Sequence, residues 1–211
     1  MIKAVLFDIG GVIVRTEDPG PRLRLAAQFG LDRAGIDNLV FGSPAAQAAE
    51  RGELSETAVW EHVGKELSLS SAQLEQFQRD FWAGDRADAS LIHLLRTLRS
   101  PRADKRCRTG LLTNSWLPDP LPLFWTRFNL REDEVRAALD VAISSARVGI
   151  QKPAPRIYLA ALEALDVPAS QTVFVDDFAH NIAAARELGL HAIHFETTAQ
   201  ARRDLLALLD A

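Results

Sequence analysis

A chain of 211 residues, 47% hydrophobic and 25% charged, has the composition of a folded globular protein with room for one large core and an insertion. Its net charge of −4, from 24 Lys plus Arg against 28 Asp plus Glu, argues against a general basic field for gripping nucleic acid or anionic lipid. The single cysteine, Cys107, excludes an internal disulfide and a multi-cysteine zinc site, and fits a reducing compartment.

The first apolar run, "AVLF", ends at Asp8 and is followed by Gly10 and Gly11. Asp8 interrupts the run and no small-residue cleavage site follows it, so the start of the chain does not read as a secretory signal. No segment holds the roughly 20 apolar residues of a spanning helix. The expectation is a cytoplasmic monomer or homodimer without membrane or nucleic-acid partners.

Residues 16–85 read as helices. "PRLRLAAQFG", "SETAVWEHVGKEL" and "SSAQLEQFQRDFW" are amphipathic, with Ser55 and Ser70 where N-caps belong. Beyond them, runs at 109–113, 141–144, 172–175 and 192–195 are short, apolar and bounded by polar residues or glycine, as strands buried on both faces are. Between them lie helical stripes: Ile157, Ala161, Leu162 and Leu165, then Ile182, Ala185 and Leu188, stopped by Gly189. Pro153 is placed to open the first of these helices. In the proline-rich loop "SWLPDPLPLFW", Trp116, Phe124 and Trp125 are expected to cover one edge of the sheet. Strand and helix alternate, which predicts an α/β fold with a doubly wound parallel sheet. The core comprises residues 1–15 and 86–211, and residues 16–85 form an all-helical insertion.

Ligands of open parallel sheets collect at the carboxyl ends of the strands. There the sequence puts Asp8, then Thr113 with Asn114, then Asp176 with Asp177, and Lys152 in "GIQKP". Three crowded carboxylates repel unless a cation neutralises them, and hard oxygen ligands suit Mg²⁺. One of the carboxylates can instead be a nucleophile. Gly10 and Gly11 let backbone N–H groups approach an anion, while Thr113, the Asn114 N–H and Lys152 can hold phosphoryl oxygens. This is the inventory of phosphoryl transfer, in which positioning and charge neutralisation carry the catalysis.

Four segments in order, "FDIGGV", "LLTNS", "GIQKP" and "VFVDDFAHN", resemble the motifs of the haloacid dehalogenase (HAD) superfamily of hydrolases. The resemblance covers the whole chain, since a helical cap between the first two motifs is also a family habit. It implies Asp8 as nucleophile, with Asp8, the Gly10 carbonyl, Asp176 and Asp177 around Mg²⁺. It further implies Thr113 as a phosphate contact, Lys152 as the organising cation, and Asn181 where many relatives carry another acid. The substrate implied is a small phosphorylated metabolite. "DIGGV" and "ERGELS" look like segments of a sugar 1-phosphate phosphatase subgroup.

Gly10 departs from the family pattern, in which most phosphatases have a second aspartate two residues after the nucleophile. A general acid–base contributes roughly 10²- to 10⁴-fold, and glycine supplies none of it. Three readings stay open. The chain can be a phosphatase with a good leaving group, or with an acid from cap or substrate; it can be a 2-haloacid dehalogenase using Asp8 without metal; or it can bind a phosphorylated ligand without turnover. The paired Asp176 and Asp177 favour the first. Arg51, Trp60, His62 and Trp82 in the insertion are either pocket or packing residues, and His180 beside the acid pair is either a stand-in acid–base or a surface histidine.

Overall fold

Every side chain of β1 (Ala4–Phe7) is buried, as an unbroken apolar run requires of a strand covered on both faces. The computed structural model describes residues 1–100 and 106–210. After β1 the chain forms β2 (Val14–Thr16) and five helices: α1 (Gly20–Gln28), α2 (Arg33–Phe41), α3 (Pro44–Glu50), α4 (Glu56–Glu66) and α5 (Ser71–Trp82). It returns through β3 (Asp85–Ala87) to α6 (Ala89–Arg99) and β4 (Arg108–Thr113). The short helices α7 (Pro122–Thr126) and α8 (Glu132–Ala137) lead to β5 (Val141–Ser144), α9 (Ser145–Val148) and α10 (Pro155–Leu165). The chain ends with β6 (Thr172–Asp176), α11 (Ala179–Glu187), β7 (His191–His194) and α12 (Thr198–Asp210).

The main sheet is parallel, in the order β5-β4-β1-β6-β7. From β1 the chain builds outward to β5 and then crosses to β6, so the strand order reverses around β1. That reversal opens a crevice at the carboxyl ends of β1, β4 and β6. Pairing of Phe7 with Leu111 and Val175 brings the residues after these strands to one level. One face of the sheet is covered by an apolar layer that includes Leu95 of α6 and Leu205 of α12, the other by Ile157 and Leu165 of α10 and Ala185 of α11. A third cluster joins α1–α5 around Val59, Trp60, Phe77 and Phe81. Trp60 meets Phe77 and Phe81 edge-on at 6.5 and 6.1 Å, Trp82 meets Phe81 edge-on at 5.1 Å, and Phe77 stacks on Phe81 at 6.1 Å, distances at which aromatic quadrupoles attract.

The five expected strands appear within one residue of their predicted ends. Ser55 and Ser70 cap α4 and α5, Ser70 with a full capping box to Gln73. Three features differ from expectation. Residues 16–85 hold two further helices, α2 and α3, and β2 pairs antiparallel with β3, Thr16 opposite Asp85. Helix α10 opens at Pro155, two residues after Pro153. Phe124 and Trp125 pack against the sheet layer, but Trp116 instead joins the helical cluster, 5.6 Å from Phe41 and 5.8 Å from Trp60. Packing against these rings buries the Trp116 side chain, which a sheet edge open to solvent would leave partly exposed.

Candidate active site

Asp8 leaves β1 at the point where its backbone N–H still donates to the Val175 carbonyl, so the sheet itself fixes where its carboxylate stands. Its Oδ1 accepts from the Ile9 N–H at 2.7 Å. Asp176 closes β6 and is fully buried. Lys152, on the loop between α9 and α10, lies between them with Nζ 2.9 Å from Asp8 Oδ1 and 2.7 Å from Asp176 Oδ2. Asn114 holds that loop: its Oδ1 accepts from Lys152 N–H at 2.8 Å and its Nδ2 donates to the Lys152 carbonyl at 3.1 Å. Asn181 donates to both oxygens of Asp176, and Phe178 N–H to one of them. Thr113 ends β4 with its hydroxyl on the Asn114 carbonyl.

Asp177 packs against Gly11. A Cβ at that glycine would fall 2.0 Å from Asp177 Oδ2, and φ is +75°, so two independent constraints demand glycine there. At Gly10 a Cβ would meet nothing within 4 Å. The space where a side chain would stand is open.

Carboxylate oxygens of Asp8, Asp176 and Asp177 come within 4.8 Å of one another. Burial, reinforced by the charge of Asp176 and opposed by Lys152, pushes the Asp8 carboxyl up to about 6. Burial and Asp176 also raise Asp177. Burial works against the Lys152 charge too, but Asp8 and Asp176 outweigh it and hold the ammonium above its usual range. One ammonium thus faces three acids. Asp177 Oδ1 is buried without a hydrogen-bond partner among the described residues, and so is Asn181 Oδ1. A cluster of hard oxygens with negative charge in excess and an unused buried carboxylate oxygen fits a magnesium ion.

These residues stand at the floor of a cavity of about 790 Å³ between the strand ends and the helices of residues 16–85. Asp8, Gly10, Gly11, Thr113, Asn114, Lys152 and Asp177 line it, while Asp176 is shielded from it. The opposite wall is aromatic and apolar, with Phe41, Trp82, Trp116, Leu123 and Phe128. Of the residues singled out in the insertion, Trp82 lines the cavity; Trp60 packs in the helical cluster with its indole N–H on Glu56; Arg51 pairs with exposed Glu53; His62 does not reach the cavity. His180 stands at the rim beside the Phe178 ring. Sequence reasoning missed Arg22, Arg127 and Glu50, which also line the cavity. Arg22 and Arg127 carry no signal in a helix and a loop rich in arginine; Glu50 does, since it opens the "ERGELS" segment.

The haloacid dehalogenase-like hydrolase family matches residues 2–189. The chain belongs to this family. As a HAD-like hydrolase it is 28% identical over 193 residues to the sesquiterpene phosphatase astK of Aspergillus oryzae, covering 91% of this chain and 89% of that protein. It is 27% identical over 221 residues to a D-ribitol-5-phosphate phosphatase of Bacteroides thetaiotaomicron, covering both chains completely. A crystal structure of a HAD family enzyme from Bacteroides thetaiotaomicron in complex with magnesium and inorganic phosphate superposes with a TM-score of 0.74 at 20% identity, over 95% of this chain and 99% of that one, which establishes the shared fold. Among the described residues no helix is long and apolar enough to cross a membrane.

Proposed function

We propose that this HAD-like hydrolase is a magnesium-dependent phosphatase of a small phosphorylated metabolite, with Asp8 as the nucleophile. The observation that carries the reading is the meeting of Asp8, Asp176 and Asp177 around Lys152 at the floor of one large cavity. Two relatives of nearly full length are phosphatases, one of a polyol phosphate and one named for sesquiterpenes, which supports the reaction class and leaves the organic part of the substrate open.

In this reading an oxygen of Asp8 attacks phosphorus, the bond to the leaving oxygen breaks, and an aspartyl phosphate forms. Water then attacks that phosphorus, the bond to Asp8 breaks, and inorganic phosphate leaves. Lys152 holds the Asp8 carboxylate and faces the phosphoryl oxygens. Thr113 and the Asn114 N–H take the other oxygens; the Gly11 N–H, expected from the sequence to meet the anion, instead donates to the Val14 carbonyl at 2.9 Å. Asp176 and Asp177, with Asp8 and the Gly10 carbonyl, would hold Mg²⁺, which supplies charge neutralisation at the phosphoryl group. Asn181 keeps Asp176 oriented through its two hydrogen bonds. Residues 16–85 act as a cap that excludes bulk water and selects the substrate by its apolar wall. Dehalogenation without metal has no use for Asp176 and Asp177, and they count against it.

The test is phosphate release from an aryl phosphate with and without divalent metal. Asp8→Asn is expected to lower turnover by at least about 10³-fold, and chelation to stop the wild type until Mg²⁺ is added back. Full activity of Asp8→Asn, or turnover indifferent to chelation, would falsify the reading.

A further inference from the structure

Gly10 leaves a proton unaccounted for. An alkoxide leaving group needs one as the P–O bond breaks, and Asp8, Lys152 and the acid pair are committed to nucleophile, phosphate and metal. Six carboxyls line the cavity: Asp8, Asp37, Glu50, Glu56, Asp85 and Asp177. Asp37 is paired with Arg22 and Arg33, and Asp85 with Arg22. Glu56 takes the Trp60 indole N–H and faces Arg127. Only Glu50 makes no ion pair among the described residues and stands outside the acid cluster.

Glu50 is also held toward the strand ends. It ends α3, and its Oε2 accepts from Gln151 Nε2 at 2.5 Å, one residue before Lys152. The turn that follows it is pinned to α9: Gly52 has φ +71°, and a Cβ there would meet the Ala146 carbonyl at 2.3 Å. One hydrogen bond and one close backbone approach therefore place the helix end that carries this side chain. Its Oε1 has no hydrogen bond among the described residues, so the group can keep its Gln151 bond whether or not Oε1 is protonated.

Resting on the phosphatase reading above, we propose that Glu50 is the general acid–base that Gly10 cannot be. As Asp8 bonds to phosphorus and the bond to the leaving oxygen breaks, Glu50 gives its proton to that oxygen, releasing a neutral alcohol. The Glu50 carboxylate then takes a proton from the water that attacks the aspartyl phosphate, which frees hydrogen phosphate and regenerates both acids in their starting forms. Burial favours the protonated form of Glu50, against the Gln151 hydrogen bond and the charges of Lys152 and Arg51, in keeping with a donor role.

The experiment compares 4-nitrophenyl phosphate, whose phenolate leaves without a proton, with the best alkyl ester from a panel of polyol, sugar and prenyl monophosphates. Glu50→Gln keeps the shape and the Gln151 contact. It is expected to slow the alkyl ester about 10²- to 10³-fold and the aryl ester less than about tenfold. Gly10→Asp placed in the Glu50→Gln variant uses the open space at Gly10, and is expected to return at least about tenfold of the alkyl rate. A purely structural Glu50 would give equal losses on both esters and no rescue, which overturns the proposal, as does a wild type that hydrolyses only the aryl ester. Glu50→Gln matching the wild type while Asp8→Asn is inactive overturns Glu50 alone. A wild type inert on every phosphate ester overturns the phosphatase reading instead.

Discussion

The two ends of the cavity treat charge in opposite ways. At the strand ends, three acids share one ammonium, and burial, reinforced by the charge of Asp176, pushes Asp8 and Asp177 upward. At the helical end the buried arginine is matched by acids: Arg22 is bonded to Asp85 at 2.7 Å, to Asp37 at 3.2 Å and to the Phe81 carbonyl at 2.9 Å, with its guanidinium 4.1 Å above the Phe81 ring. The first arrangement opposes folding, at the site proposed for the chemistry; the second supports the fold. Substitutions should therefore move stability in opposite directions at the two ends.

The largest effect is expected at Arg22. Burial lowers its pKa against the pull of Asp85 and Asp37, yet it remains the counterion of a buried Asp85. Arg22→Leu leaves the Asp85 carboxylate, among the described residues, with the Thr16 hydroxyl as its hydrogen-bond donor and Arg127 as a more distant charge, and is expected to destabilise the protein by about 3–5 kcal/mol in denaturant titration. A loss under 1 kcal/mol would break the contrast at its stronger end.

Asp88 extends the comparison to a paired acid away from the cavity. Burial alone would raise its carboxyl, but bonds from Ser90, Thr198 and Arg15 bring it down to about 2 while it caps α6. Its stabilisation is fully present above the unfolded value near 4 and is lost as pH falls through about 2. Asp88→Asn is expected to cost about 1–2 kcal/mol at neutral pH, with wild type and variant converging in melts taken toward pH 2. Parallel curves at all pH values would remove the ionic origin.

The smallest effect has the opposite sign. Asp177 is raised by burial and by Asp176, so its ionisation disfavours the folded state once pH exceeds the unfolded value near 4. In buffer with chelator, Asp177→Asn should gain about 0.5–1 kcal/mol at pH 7, gain nothing below about pH 4, and lose phosphate release. A destabilised variant would show that Asp177 is part of the scaffold rather than an imposed charge.

Legibility followed the same division. The central strands β1, β4 and β6 could be read because burial on both faces leaves runs such as "TVFVD" and "AVLF" little choice of residue, whereas β5 and β7, expected to be equally buried, stand at the sheet edges and are only partly covered. The floor residues followed from them, since a polar residue that ends such a run has one place to be. Helices α2 and α3 escaped because "RAGIDNLVF" and "PAAQAAE" carry glycine and alanine where a sharp apolar stripe would mark a helix. β2 and β3 escaped because three residues are too few to show a period. The cavity wall was hardest. Whether Trp82 faces a substrate, or Trp116 a helix rather than the sheet, depends on how elements distant in sequence dock, and so on no local pattern.

The pairing of β2 with β3 has a further consequence. Thr16 and Asp85 sit opposite each other, so seen from the sheet everything between them is one long excursion that departs and returns at the same spot. Lengthening or exchanging such an excursion alters closure entropy only logarithmically, about 0.6 kcal/mol per doubling. A lineage could thus trade one cavity wall for another and leave the proposed reactive floor untouched, which makes this doorway a natural joint for grafting.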